Sequence, residues 1–292
     1  MIPSAFDYVR PDSLSDALAL LARHRDAAKP MSGGHSLLPM MKLRLAAPDL
    51  VVDVNELGEL HGITVGRNEV VVGAATTHAT LEHHPEVAAA LPLMPVVACQ
   101  IADATVRNRG TLGGSLAHAD PSADWPAAML AQNAVFEVAG SSGSRSIAAR
   151  DFFKGLFETA LQPGELIVAV RIPVAANTRV AYRKFRHPAS GYAVVGVAVV
   201  LDYDKGRCGG GCIAITGFAD HAFRAERAEA ELSKHVGEPS HIERLLDLAF
   251  DGVAPIEDRF ADAEYRLQLA RTMLRRALAD AQSSFNPARS AA

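Results

Sequence analysis

Apolar residues recur along this chain with two periods. Leu14, Ala17, Leu18 and Leu21 fall on one face of a 3.6-residue repeat, so residues 13–24 are expected to form a helix capped by Ser13 or Ser15. Residues 77–91, 94–102 and 124–131 carry a helical pattern too. Short β-branched or apolar runs at 50–54, 69–73, 134–138 and 165–172 read as strands. Further on, 192–202 and 208–216 are strand-like, and Tyr203-Asp204-Lys205-Gly206 between them has the composition of a hairpin turn. Helix-like segments come next at 223–235, 241–251 and 263–282, the last with Tyr265, Leu269, Met273 and Leu274 on one face. Ser141-Ser142-Gly143-Ser144 reads as a loop tip and residues 286–292 as a frayed tail. The pattern breaks at Pro173-Val174-Ala175-Ala176-Asn177-Thr178, which predicts two domains, 1–177 and 178–292.

Composition narrows the classes. The chain has 292 residues, 49% hydrophobic and 21% charged, enough for a substantial core. A net charge of −4 gives no basic footprint for nucleic acid. The longest apolar stretch, 193–201, is of strand length and too short to cross a bilayer. The first residues, Met1-Ile2-Pro3-Ser4-Ala5-Phe6-Asp7, lack the basic and apolar regions of a secretory signal. Three cysteines argue against a disulfide framework. A cytoplasmic protein is expected.

Two glycine turns carry the candidate chemistry, Ser32-Gly33-Gly34-His35-Ser36 and Thr111-Leu112-Gly113-Gly114-Ser115. A lone Gly-Gly pair most often marks only a turn. Two in one domain, each flanked by hydroxyl residues, point to an anion site: glycine lets an anion approach the main chain, and successive amides form a concavity for it. Two such turns gripping one pyrophosphate predict a dinucleotide. Neither turn matches Gly-x-Gly-x-x-Gly or the Walker loop, which removes the Rossmann and P-loop readings. His35 either contacts phosphate or holds the loop through its ring nitrogens. Asp124, in Asp120-Pro121-Ser122-Ala123-Asp124, reads as a helix cap and, compatibly, as a carboxylate that accepts hydrogen bonds from a ribityl chain or ribose. Cys208-Gly209-Gly210-Gly211-Cys212 would put both thiols on one face of a strand, but a second cysteine pair and a histidine at ligand spacing are missing. Cys99 is expected in the core and His83-His84 on the surface. No Ser–His–Asp or Cys–His set is evident, so a bound redox cofactor would carry the chemistry.

With their surroundings these turns resemble a known family. Leu37-Leu38-Pro39-Met40-Met41-Lys42-Leu43-Arg44, Val106-Arg107-Asn108-Arg109, Gln162-Pro163-Gly164-Glu165-Leu166-Ile167 and Met273-Leu274-Arg275-Arg276-Ala277 extend the likeness over most of the chain. The chain resembles the FAD-binding medium subunits of aerobic, molybdenum-containing carbon monoxide dehydrogenases and, more broadly, the flavin subunits of the xanthine dehydrogenase family of molybdenum hydroxylases. The resemblance implies an α+β fold. A vanillyl-alcohol-oxidase-like (PCMH-type) FAD domain of two α/β subdomains would precede a C-terminal domain with a three-stranded antiparallel sheet and a helical bundle. It places non-covalent FAD on Ser32, Gly33, Gly34, His35, Ser36, Leu37, Thr111, Leu112, Gly113, Gly114 and Ser115. Ile101 would lie near the adenine, Asp124 would hydrogen-bond the cofactor, and Ile167, Lys184 and Tyr192 would lie nearer the isoalloxazine. Ser32 stands where the family commonly has Ala, Ser115 where Asn is commoner, and Ser190-Gly191 where Gly-Asp or Ser-Asp precedes the tyrosine.

The resemblance further implies a large molybdenum–pterin subunit and a small [2Fe–2S] subunit as partners, in a dimer of heterotrimers. FAD would collect electrons from the small subunit and deliver them to a quinone. The alternatives are a flavin subunit of a xanthine or N-heterocycle dehydrogenase passing electrons to NAD, and a free-standing FAD oxidase.

Overall fold

The computed structural model describes residues 2–205, 207–234 and 239–283. It is an α+β structure built on three main sheets. In the first, parallel strands run in the order Asp7–Val9, Leu50–Asp53, Ala28–Met31. Helix Leu14–His24 buries Ala17, Leu18 and Leu21 against it, and Ser13, not Ser15, is the cap, accepting from the Asp16 amide.

The second sheet is antiparallel throughout, in the order Ile63–Val65, Glu69–Gly73, Leu166–Pro173, Val135–Gly140, Gly143–Ala148. Helices Leu93–Ala98, Leu112–His118 and Asp124–Ala131 share its core with Phe136, Phe152 and Trp125. The third is also antiparallel, Thr178–Arg186, Ala193–Asp204, Arg207–Thr216 and Phe223–Arg224. Helices Pro239–Phe250 and Ala263–Ser283 cover one face, through Leu245, Leu246, Met273 and Leu274. Tyr182, Ala198 and Ala214 on the other face join the core of the second sheet, so helix Asp124–Ala131 is enclosed and all eight of its residues are buried.

Several expectations change, each for a local reason. The C-terminal sheet has four strands, because Phe223–Arg224 pairs with Ala214 and Ile215. That strand also displaces the helix expected over 223–235. The chain continues from it into a short helix, Glu226–Glu229, and a 3-10 turn at Leu232–Lys234, and His235 lies outside the described residues. The helix expected over 77–91 breaks at His84, which is extended before Pro85, giving His78–His83 and Pro85–Ala90. His84 Nδ1 accepts from the Val87 amide at 3.4 Å, while His83 is solvated. Cys99 comes just after the end of Leu93–Ala98 and is exposed, not core. The thiols of Cys208 and Cys212 pack on opposite faces of their sheet, because a bulge shifts the register between Asp202 and Tyr203. The loop tip shortens to Ser141-Ser142, since Gly143 already pairs with Gly140. On the last helix Tyr265 is exposed and Arg266 takes its place on the inner face. Residues 286–292 lie outside the described residues.

Candidate cofactor site

The first glycine turn leaves the carboxyl end of strand Ala28–Met31, the usual place for a ligand in a parallel sheet. Gly34 has φ +74°, a conformation that favours glycine, and bends the chain into helix Leu37–Lys42. Among the described residues, the amides of Gly33, Gly34, His35 and Ser36 have no protein acceptor. They are donors left free by the turn.

The second turn is built differently. Its Thr111 caps helix Leu112–His118, accepting from the Gly114 amide at 3.1 Å. The Leu112 and Gly113 amides bond the carbonyls of Thr76 and Ala74, at 2.9 and 2.8 Å, and the Ser115 amide bonds Thr111 at 3.1 Å. The expected pair of amide-lined grips therefore resolves into one. The second turn contributes the Ser115 hydroxyl and the exposed backbone of Gly114, while the Thr111 hydroxyl is taken up by Ser32 and the Gly114 amide. Gly33 and Gly113 are glycine for packing reasons: a Cβ on Gly33 would overlap the Arg109 carbonyl, and one on Gly113 would lie 2.5 Å from the Ala74 Cβ.

Between the turns lies a cleft of about 560 Å³, a size usual for cofactor sites. Ser32 to Leu37, Ile101, Thr111, Gly113, Gly114, Ser115, Asp124, Ile167 and Tyr192 all line it. Leu112 and Lys184 do not. Leu112 is fully buried in the core. Lys184 lies behind the wall, its side chain 1% exposed, with Nζ 2.8 Å from Asp124 Oδ2 and 3.1 Å from the Gln100 carbonyl. Asp124 occupies the first helical turn after Ala123 instead of the cap position. Tyr182 donates to its other oxygen. Burial pushes the Asp124 carboxyl up and the Lys184 ammonium down, and their ion pair opposes both shifts.

The C-terminal sheet holds this wall in place. The Thr216 hydroxyl lies 2.7 Å from the carbonyls of Pro121 and Ala123, and the Ala193 and Gly217 amides bond Ser122 and Pro121. Tyr192 stands at the mouth, 40% exposed, with its amide on Ser190 Oγ at 3.3 Å. Gly191 before it has φ +75°, and a Cβ there would come 3.0 Å from the Arg186 guanidinium. His35 is exposed and lines the cleft.

One lining residue carries no signal in the sequence. His78, the first residue of its helix, is 5% exposed and accepts a hydrogen bond from Trp125 Nε1 at 3.0 Å. Burial, reinforced by His35 and Arg107, lowers its pKa to about 4, so the ring is neutral.

These features fit a flavin dinucleotide. Free amides on a turn without an acidic side chain suit a pyrophosphate. Ile101, Ile167, Val54 and Leu60 line apolar walls for flat rings, and hydroxyls stand between.

Known proteins share this arrangement. Residues 4–175 match the family of the FAD binding domain in molybdopterin dehydrogenase, and 180–281 match the CO dehydrogenase flavoprotein C-terminal domain. The carbon monoxide dehydrogenase medium chain of Afipia carboxidovorans is 40% identical over 97% of this chain and 99% of its own. The 6-hydroxypseudooxynicotine dehydrogenase complex subunit alpha of Paenarthrobacter nicotinovorans is 35% identical over 98% of each chain. A chain of the reconstituted CO dehydrogenase from Oligotropha carboxidovorans superposes with TM-score 0.95 at 40% identity, covering 98% of this chain and 100% of that one. With the two family matches spanning nearly the whole sequence, this chain belongs to the family of FAD-binding medium subunits of molybdenum-containing CO dehydrogenases.

Proposed function

We propose that this chain binds FAD non-covalently and serves as the electron-exit subunit of a cytoplasmic molybdenum hydroxylase, of the carbon monoxide dehydrogenase type. The observation that carries this reading is the row of free amides from Gly33 to Ser36 facing a cleft of dinucleotide size. The division into an FAD domain, 1–177, and a C-terminal domain, 178–292, belongs to the same reading. The partners are a large molybdenum–pterin subunit and a small [2Fe–2S] subunit, in a dimer of heterotrimers.

FAD, when bound, would supply the redox chemistry that no side chain here supplies. The chain's own residues bind and orient it. Gly33 to Ser36 hold the pyrophosphate, with Leu37 at the start of the next helix. Thr111 ties the two turns together through Ser32, Ser115 adds a hydroxyl, and the exposed backbone of Gly114, held in place by the packed Gly113, lets the cofactor lie close. Ile101 packs at the adenine end, with Ile167 and Tyr192 at the ring end. Asp124 is oriented by Tyr182 and Lys184, so Lys184 acts through Asp124.

The external acceptor is a quinone in this reading. A second reading, the flavin subunit of an N-heterocycle dehydrogenase, is supported by the relative named for 6-hydroxypseudooxynicotine, and NAD would be the acceptor in it. Purifying the native complex decides. Co-purification with two partners, FAD, molybdenum and iron, with CO-dependent quinone reduction, is expected. A lone flavoprotein that reduces oxygen would replace this reading with the free-standing oxidase.

A further inference from the structure

His78 holds a proton donor aimed at the cofactor cleft. Trp125 Nε1–H can only donate, and it meets His78 Nδ1 at 3.0 Å, so Nδ1 is the acceptor. In the neutral ring the proton must then sit on Nε2. Nε2 lies against Gly110: a Cβ there would come within 2.7 Å of it. Gly110 immediately precedes the second turn, and both Gly110 and His78 line the cleft. The His78 amide is anchored on the Gly110 carbonyl at 3.0 Å, so ring and turn move as one. Among the described residues, Nε2–H has no protein acceptor, although the residue is only 5% exposed. Nε2 itself keeps access to the open space of the cleft that His78 lines.

We propose that His78 is a cofactor-positioning residue: Trp125 fixes its tautomer, and its Nε2–H donates to the phosphate-bearing part of the dinucleotide between the two turns. This rests on the FAD reading above. A neutral donor suits the place, because it adds a hydrogen bond beside the amides of Gly33 to Ser36 without adding a charge.

Two substitutions separate the ring's two nitrogens. His78→Asn places an amide oxygen near the Nδ1 position and keeps an acceptor for Trp125, but removes the outer donor. His78→Gln restores a donor near the Nε2 position. Trp125 is the sole tryptophan, so its fluorescence reports binding directly in the full chain. FAD and ADP are titrated against the flavin-free full chain and both variants. Asn is expected to weaken both ligands by roughly tenfold to a hundredfold, as for a lost hydrogen bond to a charged group, and Gln to recover part of the loss. Nitrogen-15 spectra of the unsubstituted protein should show His78 as the Nε2–H tautomer, its Nε2 resonance shifting when FAD or ADP is added.

Unaltered FAD affinity in His78→Asn, or an Nδ1–H tautomer, overturns this role while leaving FAD binding intact. Weakening of FAD without weakening of ADP overturns the assignment to the phosphates. No FAD binding by the unsubstituted chain overturns the cofactor reading itself. If Asn prevents folding, the tautomer and its response to ligand still decide.

Discussion

Thr111 Oγ1 donates to Ser32 Oγ at 3.1 Å and so ties together two glycine turns 79 residues apart in sequence. The same oxygen accepts from the Gly114 amide. One hydroxyl thus caps a helix and sets the distance between the two walls of the cleft. Ser32 completes the link, since its hydroxyl is the acceptor for Thr111. Thr111→Val keeps the shape and removes both bonds. We expect a loss of about 1 kcal/mol of stability, the usual worth of a cap, together with weaker FAD retention. Urea unfolding and flavin content of the purified variant check this. Unchanged flavin content would mean that the link serves folding alone.

Substitution of Gly33 should damage the fold before it damages binding. A Cβ there would overlap the Arg109 carbonyl, which belongs to protein backbone and not to the cleft. Gly33→Ala is expected to lower the melting temperature as well as the flavin content. Gly113 faces Ala74 and should behave alike. A Gly33→Ala protein with unaltered melting but no FAD would show that the backbone yields there and that the cofactor alone excludes the side chain.

The two turns were legible in the sequence because glycine pairs beside hydroxyls are rare in combination. Their division of labour was not. Whether an amide is free depends on the partner it meets, and the second turn's partners, Ala74 and Thr76, come from a distant segment. Strand Thr178–Arg186 was missed because Arg179, Arg183, Lys184 and Arg186 break any apolar pattern. Lys184 is tolerated inside only because Asp124, 60 residues away, neutralises it. Arg266 is hidden in the same way. Its guanidinium donates to the carbonyls of Val194 and Gly217, at 2.6 and 2.7 Å, and pairs with Asp258. Helix Asp124–Ala131 and strand Glu69–Gly73 were readable from local sequence, since their own residues decide them.

Acid should weaken the fold through His78. Its folded pKa, about 4, lies below the 6.5 of an unperturbed ring. The unfolded chain therefore binds the proton more readily, and stability rises with pH across this window. The contribution is complete above pH 6.5 and is lost as pH falls towards 4, by about 3 kcal/mol over 2.5 pH units. His78→Asn has no ring to protonate. Its deficit relative to the unsubstituted protein should shrink steadily from pH 6.5 to 4 in urea unfolding of the flavin-free chains. A constant deficit would place the His78 pKa near its ordinary value and undo the account of its burial.

Tyr192 should govern the flavin's potential more than its retention. It stands at the mouth of the cleft, carried by the turn that enters strand Ala193–Asp204, and its phenol hydrogen-bonds the Ser36 side chain. The free amides of Gly33 to Ser36 are backbone groups, which loss of that side-chain contact leaves in place. A ring stacked at the mouth contributes roughly 0.5–1.5 kcal/mol beyond its burial, much less than a row of donors on a pyrophosphate. Tyr192→Ala is therefore expected to keep most of its FAD. Removing the aromatic face lets water reach the isoalloxazine end, which changes the relative solvation of its oxidised and reduced forms. Spectroelectrochemical titration of the complex should show a displaced flavin potential, and stopped-flow should show slower reduction of the external acceptor. Unchanged potential and unchanged acceptor kinetics would mean that Tyr192 does not cover the ring, and that the turn formed by Ser190 and Gly191 aims this side chain elsewhere.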